Sequence, residues 1–449
     1  MICDDIMKKL CLILILMLFL FRVNAQKLSL QACIDSAINN NIQLKIQKLD
    51  QENASINLKK AQMSYLPTAS AQVGQSFDFG QSPTSNNLIV NNNSTSTGFG
   101  ASVSIPLFTG FKIYHQVQIE KINLKAVIED FSKAKEDLSL NVAAQYLQIL
   151  LYKQLAASAE EQVATSISIV SKTQKSVEAG IMSISDLYEA QSSLARDELM
   201  LFQNQQNVQL ALLDLSQLLE LKNITGFDIE TPETGTDCIN NLTSSVNDFS
   251  ESEILSLRPA IRSQQLRILS SEQELKSVKT GYLPTLGFSY SYSNGYYYLF
   301  SNSEFAGNLS FAQQMRQNSR NGFYFSLNIP IFSRFDVRNQ VKLAQLNILR
   351  HRMKLENDQK AILKDIHQAQ FNSEAAKAKY AVAQKSMEAA KIAYQFTQEK
   401  YDNGRSTVFE LNDSKARKVQ SEAEMLQARF EYVFKSMILQ FYLGGSVRL

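Results

Sequence analysis

Along this 449-residue chain two periods of apolar residues take turns, and Gly and Pro mark where one gives way to the other. Neither residue occurs from Phe111 to Ala179, Ile181 to Thr225, Ile331 to Asn403 or Arg405 to Leu443. Exclusion of the two strongest helix breakers from tracts this long predicts very long helices. At a rise of 1.5 Å per residue the longest would span about 100 Å, more than a compact globular domain can use. The tracts carry seven-residue grids. In the first, Ile128, Val142, Ile149, Ala156, Val163, Val170 and Val177 share one position, interrupted by Lys135. In the second, Ile348, Leu355, Ile362, Ala369, Ala376, Ala383 and Ala390 share one, with Ile366, Tyr380, Met387, Tyr394 and Tyr401 on a companion position. Sustained heptads predict left-handed supercoiling.

Short segments of period two lie between the helices. Residues 69–79 place Ala, Val and Phe with a single Gln on one face and Ser, Gln, Gly and Asp on the other. Phe99, Ala101, Val103, Ile105 and Leu107 alternate with Gly100, Ser102, Ser104 and Pro106; Leu286, Phe288, Tyr290 and Tyr292 alternate with Gly287, Ser289, Ser291 and Ser293. Phe323, Phe325, Leu327, Ile329 and Ile331 alternate with Tyr324, Ser326 and Asn328. Such alternation over about ten residues is the signature of transmembrane β-strands, and equally of half-buried strands in a soluble sheet. The strands form two hairpins whose loops, Gly80–Thr97 and Asn294–Asn321, are rich in Asn and Ser and are expected to be extracellular.

The chain is written twice. Tyr65-Leu66-Pro67-Thr68 returns as Tyr282-Leu283-Pro284-Thr285, and Ile105-Pro106-Leu107-Phe108 as Ile329-Pro330-Ile331-Phe332. Gly180 returns as Gly404, and Asp186-Leu187 as Glu410-Leu411. Each half reads helix, strand, strand, very long helix, glycine turn, helix. The expected organisation is a first repeat over 26–220, with hairpin 68–108, long helix 111–179 and turn at 180. A polar linker over 221–250 then leads to a second repeat over 251–449, with hairpin 285–332, long helix 334–402 and turn at 404. Pro67, Pro106, Pro284 and Pro330 are read as strand–helix junctions, where proline blocks continuation of a helix.

Lys8 and Lys9, the apolar run Leu10–Phe21 and the small-residue site Val23-Asn24-Ala25 read as a signal peptide over 1–25, too short to span a bilayer as a helix. Export leaves Cys33 and Cys238; spacing alone does not pair them, and two buried thiols are the expected state. The net charge of +2 lacks the footprint of a nucleic-acid binder. No H-E-x-x-H, G-x-S-x-G, Walker or Cys-x-x-Cys motif occurs, and His115, His351 and His367 read as solvated or packing residues. Neither an enzyme nor a cofactor or metal site is expected.

With no later apolar run long enough for a helix, entry into a membrane must be by strands. Four strands fall short of the roughly eight that the smallest barrels need, so copies must pool them. Two copies would reach that minimum; three would give a wider lumen, which suits the Ser-, Gly- and Gln-rich faces. The fold expected is mainly α with transmembrane β, internally duplicated.

The duplicated Tyr-Leu-Pro and Ile-Pro-x-Phe motifs, and the two glycine turns each followed by an acidic residue and Leu, resemble the TolC-like outer-membrane efflux protein family over essentially the whole mature chain. The resemblance implies a homotrimer with a twelve-stranded barrel in outer-membrane lipid and a helical tunnel in the periplasm. It implies a passive exit duct for efflux or type I secretion, served by a periplasmic adaptor and an inner-membrane transporter. It also maps entrance residues. Tyr401 matches the family's latch tyrosine, and Asp186, Glu410 and Asp413 match its entrance carboxylates. Arg405 comes one residue earlier than the family's latch arginine. The turns at Gly180, Ile181, Gly404 and Ser406 would dock the adaptor. Acidic residues at these places are also ordinary stabilisers of helix N-termini, and both readings stand. The alternative function is a periplasmic coiled-coil adaptor, which would explain the heptads without the strand hairpins.

Overall fold

A computed structural model describes residues 27–83, 87, 89–91, 93–222, 226–231, 251–300 and 308–444. The signal segment and Cys238 lie outside the described residues. In chain order the elements are β1 (Lys27–Leu28), α1 (Leu30–Asn40), α2 (Ile42–Met63), β2 (Thr68–Asp78), β3 (Gln81–Pro83), β4 (Ile89–Asn91) and β5 (Ser94–Phe108). They continue with α3 (Lys112–Glu178), α4 (Ile184–Leu218), β6 (Asp228–Ile229), α5 (Glu251–Leu257) and α6 (Pro259–Lys279). The last are β7 (Thr285–Leu299), α7 (Phe311–Gln317), β8 (Arg320–Asn328), α8 (Asp336–Asp402) and α9 (Val408–Tyr442). Helices α3 and α8 are each 67 residues long, and α4 and α9 each 35. Among the described residues no helix is long and apolar enough to cross a membrane.

The chain divides into two compact units. The unit of residues 49–130 and 259–358 holds an antiparallel sheet of order β2-β5-β7-β8. Its register sorts the side chains by chemistry. Ala69, Ala71 and Val73 stand opposite Val103, Ala101 and Phe99. Val103 and Ile105 then face Tyr290 and Phe288, which face Phe323 and Phe325. The alternate positions form a second face of small polar residues, with Ser70, Ser102 and Ser291 in one row and Gly74, Gly98 and Gly295 in another. Phe288 packs 5.0 Å from Phe325, and Tyr290 5.1 Å from Phe323, between ring centroids. On the polar face the hydroxyls of Ser70 and Ser102 lie 3.0 Å apart. β2 and β8 are the edges, and the aromatic face is exposed at Val73, Phe77, Phe323, Phe325 and Leu327.

The strands differ from the sequence expectation at their ends. β7 runs on to Leu299 through the Asn294-Gly295 pair that reads as a turn. Gly295 pairs with Gly98, and the Asn294 amide donates to the Met315 carbonyl (2.8 Å). The loop between β7 and β8 is therefore shorter than expected and contains α7. β8 stops at Asn328, so Ile329 and Ile331 lie past its end. Pro106 stands inside β5, at a register irregularity between Pro106 and Phe108, rather than after the strand; a bulge is where a sheet tolerates a missing N–H. Pro67 and Pro284 immediately precede β2 and β7, and Pro330 follows β8.

In the other unit, β1 pairs in parallel with β6 against a core that includes Cys33, Ala37, Val142, Tyr146, Ile149, Leu215 and Ile229. The Tyr146 hydroxyl donates to the Glu230 carbonyl oxygen (2.7 Å), and Lys153 pairs with Asp228. Residues 228–229 thus belong to the core, although their surroundings read as a polar linker. Cys33 is a fully buried free thiol, its pKa pushed up to about 12 by burial and then by the nearby Glu230 charge.

Candidate functional site

The glycine turns of the sequence form two helical tips within the second unit. α3 ends in a Schellman arrangement: Gly180 N–H donates to the Val177 carbonyl (2.9 Å) and Ile181 N–H to that of Ser176 (2.8 Å). α8 ends the same way, Gly404 N–H reaching Tyr401 (3.0 Å) and Arg405 N–H reaching Lys400 (2.8 Å). Gly180 and Gly404 have φ of 71° and 69°, and a Cβ on either would meet nothing within 4 Å. The dihedral, not space, demands glycine at both.

Each return helix then starts with a capping box. The Ser183 hydroxyl accepts from Asp186 N–H (3.3 Å), and the Asp186 carboxylate accepts from Ser183 N–H (3.1 Å). Thr407 and Glu410 repeat this at 3.2 and 3.3 Å, and Ser406 adds a hydroxyl bond to the Glu410 carboxylate. The Ser406 hydroxyl and the Thr407 N–H hold the Glu410 pKa below its ordinary value. Asp413 pairs with Arg417 one turn along α9 (2.9 Å). Each of the three candidate carboxylates therefore bonds within its own helix or cap. Tyr401 reaches further: its hydroxyl lies 2.9 Å from the buried Thr173 hydroxyl of α3, beside an exposed Lys172–Asp402 pair (3.1 Å). Arg405 and Ile181 are exposed. The junction prolines belong to the strand-bearing unit.

Two features escaped sequence reasoning. Near the tips the buried stripe of α3 is Ala159, Gln162, Ser166, Ile169 and Thr173. It alternates steps of three and four residues as the heptads require, but it is largely polar and so invisible to a search for apolar grids. Lys415 of α9, which reads as a solvated surface lysine, is buried against Asp197 of α4 (2.6 Å), Ser166 (2.6 Å) and Ser193 (3.2 Å). Beside them Ile169, Ala190, Tyr394, Val408 and Leu411 make a small apolar cluster, with Met182 and Tyr401 packed on it. Among the described residues no group of acidic, His or Cys side chains is arranged to hold a metal. What the arrangement offers is a pair of fixed turns that present charge and apolar surface on a well-tied base.

Known proteins resemble this chain along nearly its full length. It is 22% identical to outer membrane protein TolC of Salmonella enteritidis over 98% of this chain and 86% of that protein. It is also 22% identical to TolC of Escherichia coli (strain K12), over 98% and 87%. Among solved structures, CusC superposes with a TM-score of 0.76 at 17% identity, covering 93% of this chain and 92% of that one. The Campylobacter jejuni CmeC outer membrane channel superposes at 0.74 and 18%, covering 92% and 85%. These superpositions show the fold. The family described as outer membrane efflux protein matches residues 33–220 and 251–445, on either side of the segment read as a linker. The chain belongs to the outer membrane efflux protein family.

Proposed function

We propose that three copies of this chain pool their sheets into one twelve-stranded barrel in the outer membrane. The long helices continue from it as a periplasmic tunnel, and the assembly is a passive exit duct. The observation that carries this reading is the β2-β5-β7-β8 sheet, with an aromatic apolar face, a face of Ser, Gly and Gln, and two unpaired edges. In lipid each unpaired backbone group costs several kcal/mol, so such a sheet must close edge to edge with others. A soluble adaptor has no use for that aromatic face. The matching lengths of α3 with α8, and of α4 with α9, fit the internal duplication read from the sequence.

The helical tips form the tunnel entrance. There Asp186, Glu410 and Asp413 from three copies gather carboxylates that favour cations, while Tyr401 and Arg405 sit beside the opening. Gly180, Ile181, Gly404 and Ser406 present the docking surface for a periplasmic adaptor, through which an inner-membrane transporter supplies substrate and energy. The protein reconstituted in planar bilayers is expected to show stepwise, cation-selective conductance blocked by multivalent cations. Asp186→Asn, Glu410→Gln and Asp413→Asn together keep acceptors at the caps while removing charge, and should weaken both selectivity and block. A protein that inserts without conducting would overturn the duct; unchanged selectivity in the triple variant would remove these carboxylates from the entrance.

A further inference from the structure

The Lys415–Asp197 contact has features that a surface ion pair lacks. The side chains are 3% and 13% exposed, and the three donors of the ammonium meet three acceptors, on Asp197, Ser166 and Ser193. One charge thus ties α9 to both α3 and α4. Few apolar residues share the task, because the cluster toward the turns is small and the stripe of α3 is largely polar. One turn before Lys415, Asn412 is 8% exposed and both polar atoms of its amide are buried without a partner among the described residues, so it offers α9 no second polar hold. A groove of about 510 Å³ runs between α4 and α9 beside the pair, lined by Met200, Asn412, Ala416 and Val419 among others, so few side chains of α4 and α9 meet on that side.

We infer that the Lys415–Asp197 pair is the fastening that keeps α9 docked against α3 and α4 beside the tips, and that charge balance at this point limits how far the entrance opens. A buried pair adds little net stability, but removing one partner strands a charge that must regain water. Where apolar contacts are few, the least costly way to admit water is for α9 to lift locally from α3 and α4.

The effect on the entrance rests on the duct reading, whereas the fastening itself is tested independently of it. Hydrogen exchange of the full-length protein is compared between wild type, Lys415→Met and the double variant Lys415→Met with Asp197→Leu, alongside bilayer conductance. In Lys415→Met, exchange over 408–417 and 193–197 should quicken on the order of tenfold or more, and conductance should rise severalfold. The double variant, apolar on both sides, should regain wild-type protection and conductance. Wild-type exchange in Lys415→Met would overturn the fastening. So would a double variant as loose as the single, since lost side-chain volume would then be the cause. If Lys415→Met does not assemble, Ser193→Ala decides, because it removes one acceptor: faster exchange confined to the same segments supports the fastening, and unchanged exchange overturns it. A wild-type protein silent in bilayers would defeat the duct reading and leave the exchange result to stand by itself.

Discussion

The two helical tips share a backbone and differ in what they bury. Both pass through a Schellman turn on a left-handed glycine, and both restart on a capping box whose acidic member is three residues beyond the cap. After the second turn, α9 buries Val408 and Leu411, the latter 1% exposed. After the first, α4 leaves Ile184 63% exposed and Tyr188 exposed, next to an exposed Ile181. Turn geometry is thus set by a few local bonds that recur wherever the motif recurs. Packing is set by the neighbours. The second tip buries the first apolar residue of its return helix, and the first leaves its counterpart exposed beside Ile181 and Tyr188.

This difference can be broken by substitution, with hydrogen exchange reporting the local opening energy of each tip. Leu411→Ala leaves a cavity in the small cluster and should cost about 2–5 kcal/mol at the second tip. Ile184→Ala, at a surface position of the first, should stay within about 0.5 kcal/mol. Equal costs at the two would show that the tips are packed alike. Gly180→Ala and Gly404→Ala should each cost about 1–2 kcal/mol, because only the dihedral is strained and it is the same at both sites. Ser183→Ala and Thr407→Ala should each cost about 1 kcal/mol through loss of the cap.

The smallest expected effect is titration of Glu410. Its carboxyl pKa is lowered in the folded state by the Ser406 and Thr407 bonds. The stabilisation is therefore complete above the ordinary glutamate value and is lost as pH falls through the lowered one. Exchange at the second tip, corrected for intrinsic rates, should quicken as pH drops from about 5 to about 3, and Ser406→Ala should move that onset to higher pH. An onset that does not move would remove Ser406 from the cause.

Long-range breaks were easier to read in the sequence than local exceptions. Helix α3 begins and ends one residue inside a tract free of Gly and Pro, and α8 ends one residue inside its tract but begins five residues into it; a helix of this length tolerates neither residue. The apolar faces of the strands follow from alternation. The end of β7 does not, because Asn294-Gly295 is a turn signal until a partner strand supplies Gly98 opposite it. Residues 228–229 are too few to show a period and take their place from the pairing with β1. At the tips, the glycines and caps were legible as local chemistry. The Lys415–Asp197 node was not: its members lie far apart in the chain, and a lysine on a helix reads as solvated unless the seam opposite is known to be polar.

Assembly of the barrel depends most on the open edges of the sheet. The direct measurement is disulfide trapping in membranes, with Cys238 replaced and a panel of cysteine pairs placed one on β2 and one on β8. A pair at Val103 and Tyr290, which face each other within one chain, serves as the internal standard. Edge pairs should link chains into dimers and trimers on denaturing gels and nothing larger, while the standard pair closes within a monomer. Edge pairs that leave only monomers, in protein whose standard pair does close, would contradict that assembly.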